Sequence, residues 1–131
     1  MIYVCDTHTF VWWATGKRSL GRAAARVFAR AERGLDDLRL PSIAAFEITL
    51  LSERGRLKSA QPFSLWLEAL ESAPGLTVEP LLLADVVCAR GLVSLIDPFD
   101  RLVAATALRL ECALLTADAR VTESGLVPVV W

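Results

Sequence analysis

The chain of 131 residues holds one histidine, two lysines and three cysteines, and each shortage removes a class of chemistry. His8 alone cannot build a zinc site that needs two or more histidines. Cys5, Cys88 and Cys112 are odd in number, far apart and set in apolar stretches, which supports neither a disulfide framework nor a CxxC metal site. The longest uncharged run, Thr7 to Gly16, has ten residues, well short of the ~18 that a spanning helix needs. Asp6 interrupts the first apolar segment and no basic leader precedes it, so no signal peptide is expected and the protein is expected to be cytoplasmic, away from any membrane. Fourteen Lys/Arg against fifteen Asp/Glu give a net charge of −1, which excludes nucleic-acid binding by bulk charge.

What is abundant is apolar: 54% of the residues are hydrophobic, enough for one well-filled core, and the length fits a single domain over residues 1–131. Charge is unevenly spread. Residues 1–60 hold ten basic and six acidic side chains and residues 61–131 hold four and nine, which allows a basic face beside an acidic one.

Ile2-Tyr3-Val4-Cys5 is β-prone without alternation, as in a strand covered on both faces. A helical pattern follows from Thr7 to Gly16, and a second runs from Ser19 to Arg33, ended by Gly34. Further helices are expected over 42–54, after Pro62, over 82–90 and from Asp97 to Leu110. Strands are expected at 38–40, 76–79, 113–116 and 127–130. This alternation predicts an α/β fold, a mostly parallel twisted sheet flanked by helices in three layers.

Four acids stand where such a fold would gather them. Asp6 and Asp118 follow strands directly, and the carboxyl ends of parallel strands form the edge where ligands bind; each can also serve as a helix N-cap. Glu47 has Ile43, Ala44, Leu50 and Leu51 as its helical neighbours, so it needs a partner from another element or from a ligand. In Asp97-Pro98-Phe99-Asp100 the first acid suits an N-cap, and the apolar residues from Leu102 onward carry Asp100 inward. Carboxylates clustered without lysine have one economical use, holding a hard divalent cation, Mg²⁺ or Mn²⁺, through oxygen ligands. Such an ion supports phosphodiester hydrolysis.

A receiver domain also carries acids at strand ends, but it needs a lysine near its last strand, and only Lys17 and Lys58 are present. The same shortage counts against a phosphatase of the haloacid-dehalogenase type.

In order and spacing these segments resemble the PIN domains, and within them the VapC-type ribonuclease toxins of prokaryotic toxin–antitoxin systems. The resemblance spans the chain. It rests on Ile2 to His8 with Trp12-Trp13, on Ser42 to Leu57 with Glu47 and Arg54-Gly55-Arg56-Leu57, and on Asp97-Pro98-Phe99-Asp100-Arg101-Leu102 followed by Ala104 to Ala107. Leu114-Leu115-Thr116-Ala117-Asp118 and the closing Pro128 to Trp131 complete it.

It implies a Mg²⁺- or Mn²⁺-dependent endoribonuclease whose catalytic and metal-holding residues are Asp6, Glu47, Asp100 and Asp118, supported by Thr7, Thr116 and Asp97. It also implies a homodimer, an RNA substrate such as tRNA or rRNA, and inhibition by a cognate VapB-type antitoxin. The stripe of Arg22, Arg26 and Arg30, with Arg54, Arg56 and Lys58, supplies candidate RNA contacts, whereas His8 is expected to be structural and Trp12, Trp13 and Trp66 to be core or dimer interface. Two other readings accompany this one: a catalytically silent PIN-like module that binds RNA or protein, and a DNA-preferring flap-type nuclease, which is ordinarily larger.

Overall fold

The computed structural model describes residues 1–57 and 62–131. The unalternating first segment forms β1 (Ile2–Cys5), and Asp6 ends it by capping α1 (Thr7–Ala14). Then come α2 (Arg22–Glu32), β2 (Asp37–Pro41), α3 (Ser42–Glu53), α4 (Phe63–Ser72), β3 (Leu76–Glu79) and α5 (Leu83–Ala89). The chain finishes with α6 (Pro98–Arg109), β4 (Ala113–Leu115), α7 (Ala119–Ser124) and β5 (Val129–Val130). Among the described residues no helix is long and apolar enough to cross a membrane.

The five strands form one sheet in the order β3-β2-β1-β4-β5, and every pairing is parallel, flanked by helices as the three-layer α/β expectation requires. Apolar runs are what such strands need, because helices cover them: Val4, Cys5, Leu40 and Leu115 have no exposed surface. β1 lies at the centre, with Tyr3 opposite Leu38 on one side and Ala113 on the other. The winding therefore reverses between β1 and β4, and a crevice opens beyond the carboxyl ends of these two strands. Asp6 and Thr116 are the residues that immediately follow them.

Several boundaries differ by a residue or more from the sequence-based expectation, and three of them have a clear local reason. The helix expected from Ser19 begins at Arg22, because turns occupy the preceding residues and Gly21 is extended. Gly21 lies flat against Trp131; a Cβ there would stand 2.8 Å from the Trp131 ring and from its backbone carbon. β4 stops one residue early, where Thr116 turns its hydroxyl to a side chain. β5 is shorter than expected because Pro128 has no N–H to give; its carbonyl accepts the Leu114 amide at 2.8 Å instead. The conformation of Gly75 (φ 71°) is needed for a close approach, since a Cβ at this position would fall 2.2 Å from the Ala31 carbonyl oxygen.

Away from the crevice, an ion network ties β2, β3, α5 and α6 together. Asp85 is wholly buried, caps the Leu82 amide at 2.9 Å and accepts Arg109 Nε at 2.6 Å. Arg109 Nη2 also donates to Glu79 at 2.9 Å, and Glu79 accepts Arg39 in turn at 3.3 Å. Removing one member of such a network strands a buried charge, which costs far more than the intact pair contributes. Arg109→Met is accordingly expected to lower stability by about 3 kcal/mol, measured by urea unfolding, because the buried Asp85 loses its cation while Glu79 keeps only Arg39.

Candidate active site

Helix caps build much of the site. Asp6 Oδ1 accepts the Thr9 amide at 2.8 Å, the N-cap bond expected of an acid at a helix start, while its Oδ2 accepts the Thr116 hydroxyl at 2.5 Å. The second bond joins the ends of β1 and β4 across 110 residues of chain. Thr116 is buried and its Oγ1 also accepts the Asp118 amide at 3.0 Å, so one hydroxyl orients two acids. Asp118 caps α7 through the Arg120 amide at 2.8 Å. Asp97 caps α6 through the amides of Phe99 and Asp100, at 2.9 and 3.1 Å.

Glu47 finds its partner on another helix. The buried Thr7 donates to Glu47 Oε1 at 2.5 Å, which answers the need for a partner that the apolar stripe of α3 creates. Asp100 lies one turn into α6 and is half-buried. All five acids line one cavity of about 310 Å³ at the crevice: Asp6, Glu47, Asp97, Asp100 and Asp118. Thr7 lines it too, and Thr116 supports it from beneath by its bonds to Asp6 and Asp118.

Two further residues of α1, His8 and Trp12, line the same cavity. The expectation of a structural His8 is corrected: its side chain is exposed, because a helix whose Thr7, Phe10 and Val11 face the core turns the i, i+4 pair 8 and 12 outward. Trp12 is half-buried at the cavity, whereas Trp13 stacks on Phe28 at 5.0 Å and Trp66 is fully buried.

The arginine stripe does not converge on the acids. Arg30 is held by the buried Asp36, with Nε at 2.6 Å, and Arg22 and Arg26 are exposed on α2 and line no part of the cavity. Arg54 and Arg56 are exposed beyond the end of α3, also outside the cavity, and Lys58 lies outside the described residues. The basic residue at the site is Arg120, which the sequence reading passed over; its Nη2 pairs with Asp118 Oδ2 at 3.2 Å. The available signal was its place two residues after an N-cap acid, within reach of the capping carboxylate.

Electrostatically the cavity is costly. Burial, then the charges of Asp97, Asp118, Glu47 and Asp6, push the Asp100 carboxyl up to about 7. Burial likewise raises Glu47, although the Thr7 hydroxyl opposes this. Asp118 goes the other way: burial would raise it, but its bonds to Arg120 prevail and hold it below the ordinary carboxylate range.

Carboxylates predominate in this donor set, beside the Thr7 hydroxyl and one imidazole and with no thiol, which suits a hard divalent cation. Among the described residues no three His, Cys, Asp or Glu side chains stand at ligating separation. A cation such as Mg²⁺, which keeps several waters and takes only one or two carboxylates directly, does not require three.

A raised carboxyl binds its proton more tightly in the folded than in the unfolded chain, where its pKa is ~3.9. Its contribution is therefore fully present below pH ~4 and is lost as pH rises through about 7. Asp100→Asn cannot ionise, so without metal it is expected to melt above the wild type at pH 8, by about 4 °C. The difference should vanish near pH 4 in thermal melts followed by circular dichroism.

The PIN domain family matches residues 3–124. Ribonuclease VapC22 of Mycobacterium tuberculosis is 32% identical over 116 residues, which cover 88% of this chain and 85% of that protein. Similar solved structures include VapBC2 from Rickettsia felis bound to a promoter DNA fragment, with a TM-score of 0.72, 15% identity, and coverage of 99% of this chain and 98% of that one. Another is VapBC-1 from nontypeable Haemophilus influenzae, with a TM-score of 0.67, 18% identity, and coverage of 99% and 97%. An acid-lined crevice at the β1/β4 reversal, a family match across nearly the whole chain and this relative agree: the chain belongs to the PIN-domain family, among its VapC-type members.

Proposed function

We propose that the protein is a divalent-metal-dependent endoribonuclease, the toxin of a VapBC-type pair, acting on a structured RNA such as tRNA or rRNA and restrained by a VapB-type antitoxin. The observation that carries the reading is the gathering of four carboxylates, Asp6, Glu47, Asp100 and Asp118, in one cavity. The named ribonuclease relative supports the activity, and the similarity to solved VapBC structures supports the partner.

In this reading Asp6, Glu47, Asp100 and Asp118 would hold Mg²⁺ or Mn²⁺, directly or through water. The bound ion would lower the pKa of a water and neutralise charge that develops at phosphorus. Thr116 holds Asp6 and Thr7 holds Glu47, and each acid keeps lone pairs free for the cavity. Asp97 anchors the first turn of α6 and thereby places Asp100. With water as the nucleophile rather than the ribose 2′-hydroxyl, the products carry 5′-phosphate and 3′-hydroxyl ends.

Partner surfaces are also proposed. Leu83, Val87, Val93 and Ile96 are 78%, 61%, 70% and 86% exposed, an apolar area that a second copy of the chain or an antitoxin segment would cover.

Purified protein freed of antitoxin is expected to cut total cellular RNA in Mn²⁺ into discrete fragments with 5′-phosphates. EDTA should abolish this, and Asp100→Asn should slow it by about 100-fold or more. Fragments ending in 2′,3′-cyclic phosphate would overturn the mechanism. Metal binding without cleavage of any RNA would leave a silent binding module in its place. Thr7→Val, which releases Glu47, is expected to cost about 10–100-fold in activity with little loss of melting temperature.

A further inference from the structure

We propose that His8 and Trp12 form a base-stacking wall, with an unpaired base seated on Trp12 beside the bond to be cut. This rests on the ribonuclease reading above and names the residues that grip the nucleotide.

Three observations carry it. First, the cavity that holds the acids is bounded in part by rings: His8 is exposed, Trp12 is half-buried, and both line it together with Val103. Their ring centroids are 6.0 Å apart at 52°, so the two rings border one cleft without filling it by stacking on each other. Second, Trp12 is braced from behind. Trp131 meets it edge-on at 5.6 Å and 61°, and Trp131 is itself seated on Gly21, where no Cβ intrudes. A braced indole loses little conformational freedom when a base lies on it, which is what a stacking platform needs. Third, positive charge is scarce there. Among the described residues Arg120 is the basic residue at the cavity and is already paired with Asp118, so the side chains there offer phosphate little. Ring contact would add a grip on the base to whatever a bound cation gives the phosphate, and bases in a duplex cannot offer it because their faces are stacked.

The test uses the full-length Asp100→Asn protein in Mg²⁺, to prevent cleavage, with two probes: a mixed-sequence single-stranded oligoribonucleotide and a ribose-phosphate oligomer of equal length whose central nucleotides are abasic. The base-bearing probe is expected to quench tryptophan fluorescence and to bind at least about fivefold more tightly than the abasic one, the lower end of what one stacked base contributes. Adding Trp12→Leu should erase both the quenching and the preference. Trp131→Ala, which removes only the brace, should reduce the preference part-way, and this variant keeps the test informative if Trp12→Leu does not fold. Equal binding of the two probes would overturn the stacking wall while leaving the ribonuclease reading in place. Binding of neither would overturn the stacking wall and leave the ribonuclease reading to the cleavage assay with the wild type, and quenching by arginine methyl ester but not by the oligoribonucleotide would reassign the wall to a cationic side chain.

Discussion

Parallel pairing of β1 with β4 is the constraint on which the site depends. Strands that are adjacent in space but separated by most of the chain bring residue 6 beside residue 116, and the Thr116 hydroxyl closes the junction on Asp6. Every other acid is set relative to that junction: Asp118 by the same hydroxyl, Glu47 through the residue that follows Asp6, and Asp100 by a helix packed against β1 and β4. A shift of pairing register would move Asp6 away from Thr116 and separate the acids, so a contact that spans most of the chain sets the geometry of the cavity.

The cavity shows how stability and chemistry oppose each other in this chain. Fully satisfied helix caps explain Asp6, Asp97 and Asp118 individually, and each bond stabilises the helix it starts. Gathering the three beside Glu47 and Asp100 does the reverse, because half-buried carboxylates without cations repel one another. Local capping chemistry thus supplies the placement, and the long-range packing of the core absorbs the electrostatic cost. Thr7 and Thr116 mediate between the two, neutral donors that hold carboxylates without cancelling their charge.

The fold was largely legible in the sequence because its strands are continuous apolar runs and its helices carry Gly, Pro and Asp at their ends. The departures fell where tertiary contacts act on a boundary, at Gly21 beneath Trp131 and at Pro128. Gathering of the acids in one cavity was also legible, since Asp6 and Asp118 follow parallel strands and Glu47 interrupts an apolar face. Arginine placement was not. Helical spacing aligns Arg22, Arg26 and Arg30 but says nothing of Asp36, which lies outside their helix and takes Arg30. His8 was misjudged for the same reason: one turn of helix has a buried and an open face, and which is which depends on how α1 sits on the sheet.

The pairing of arginines has a consequence for ionic strength. Arg30, Arg39, Arg109 and Arg120 all answer acids within the chain, and Arg101 gives its Nε to the Leu95 carbonyl. Among the described residues few unpaired cations line the crevice to displace the condensed counterions of a nucleic acid, and it is that displacement which makes most such complexes fall apart in salt. An RNA that met only this crevice would therefore depend less on salt than one gripped by free arginines. Discrimination would rest on the shape of a loop and the face of a base, and stray duplex would gain no grip.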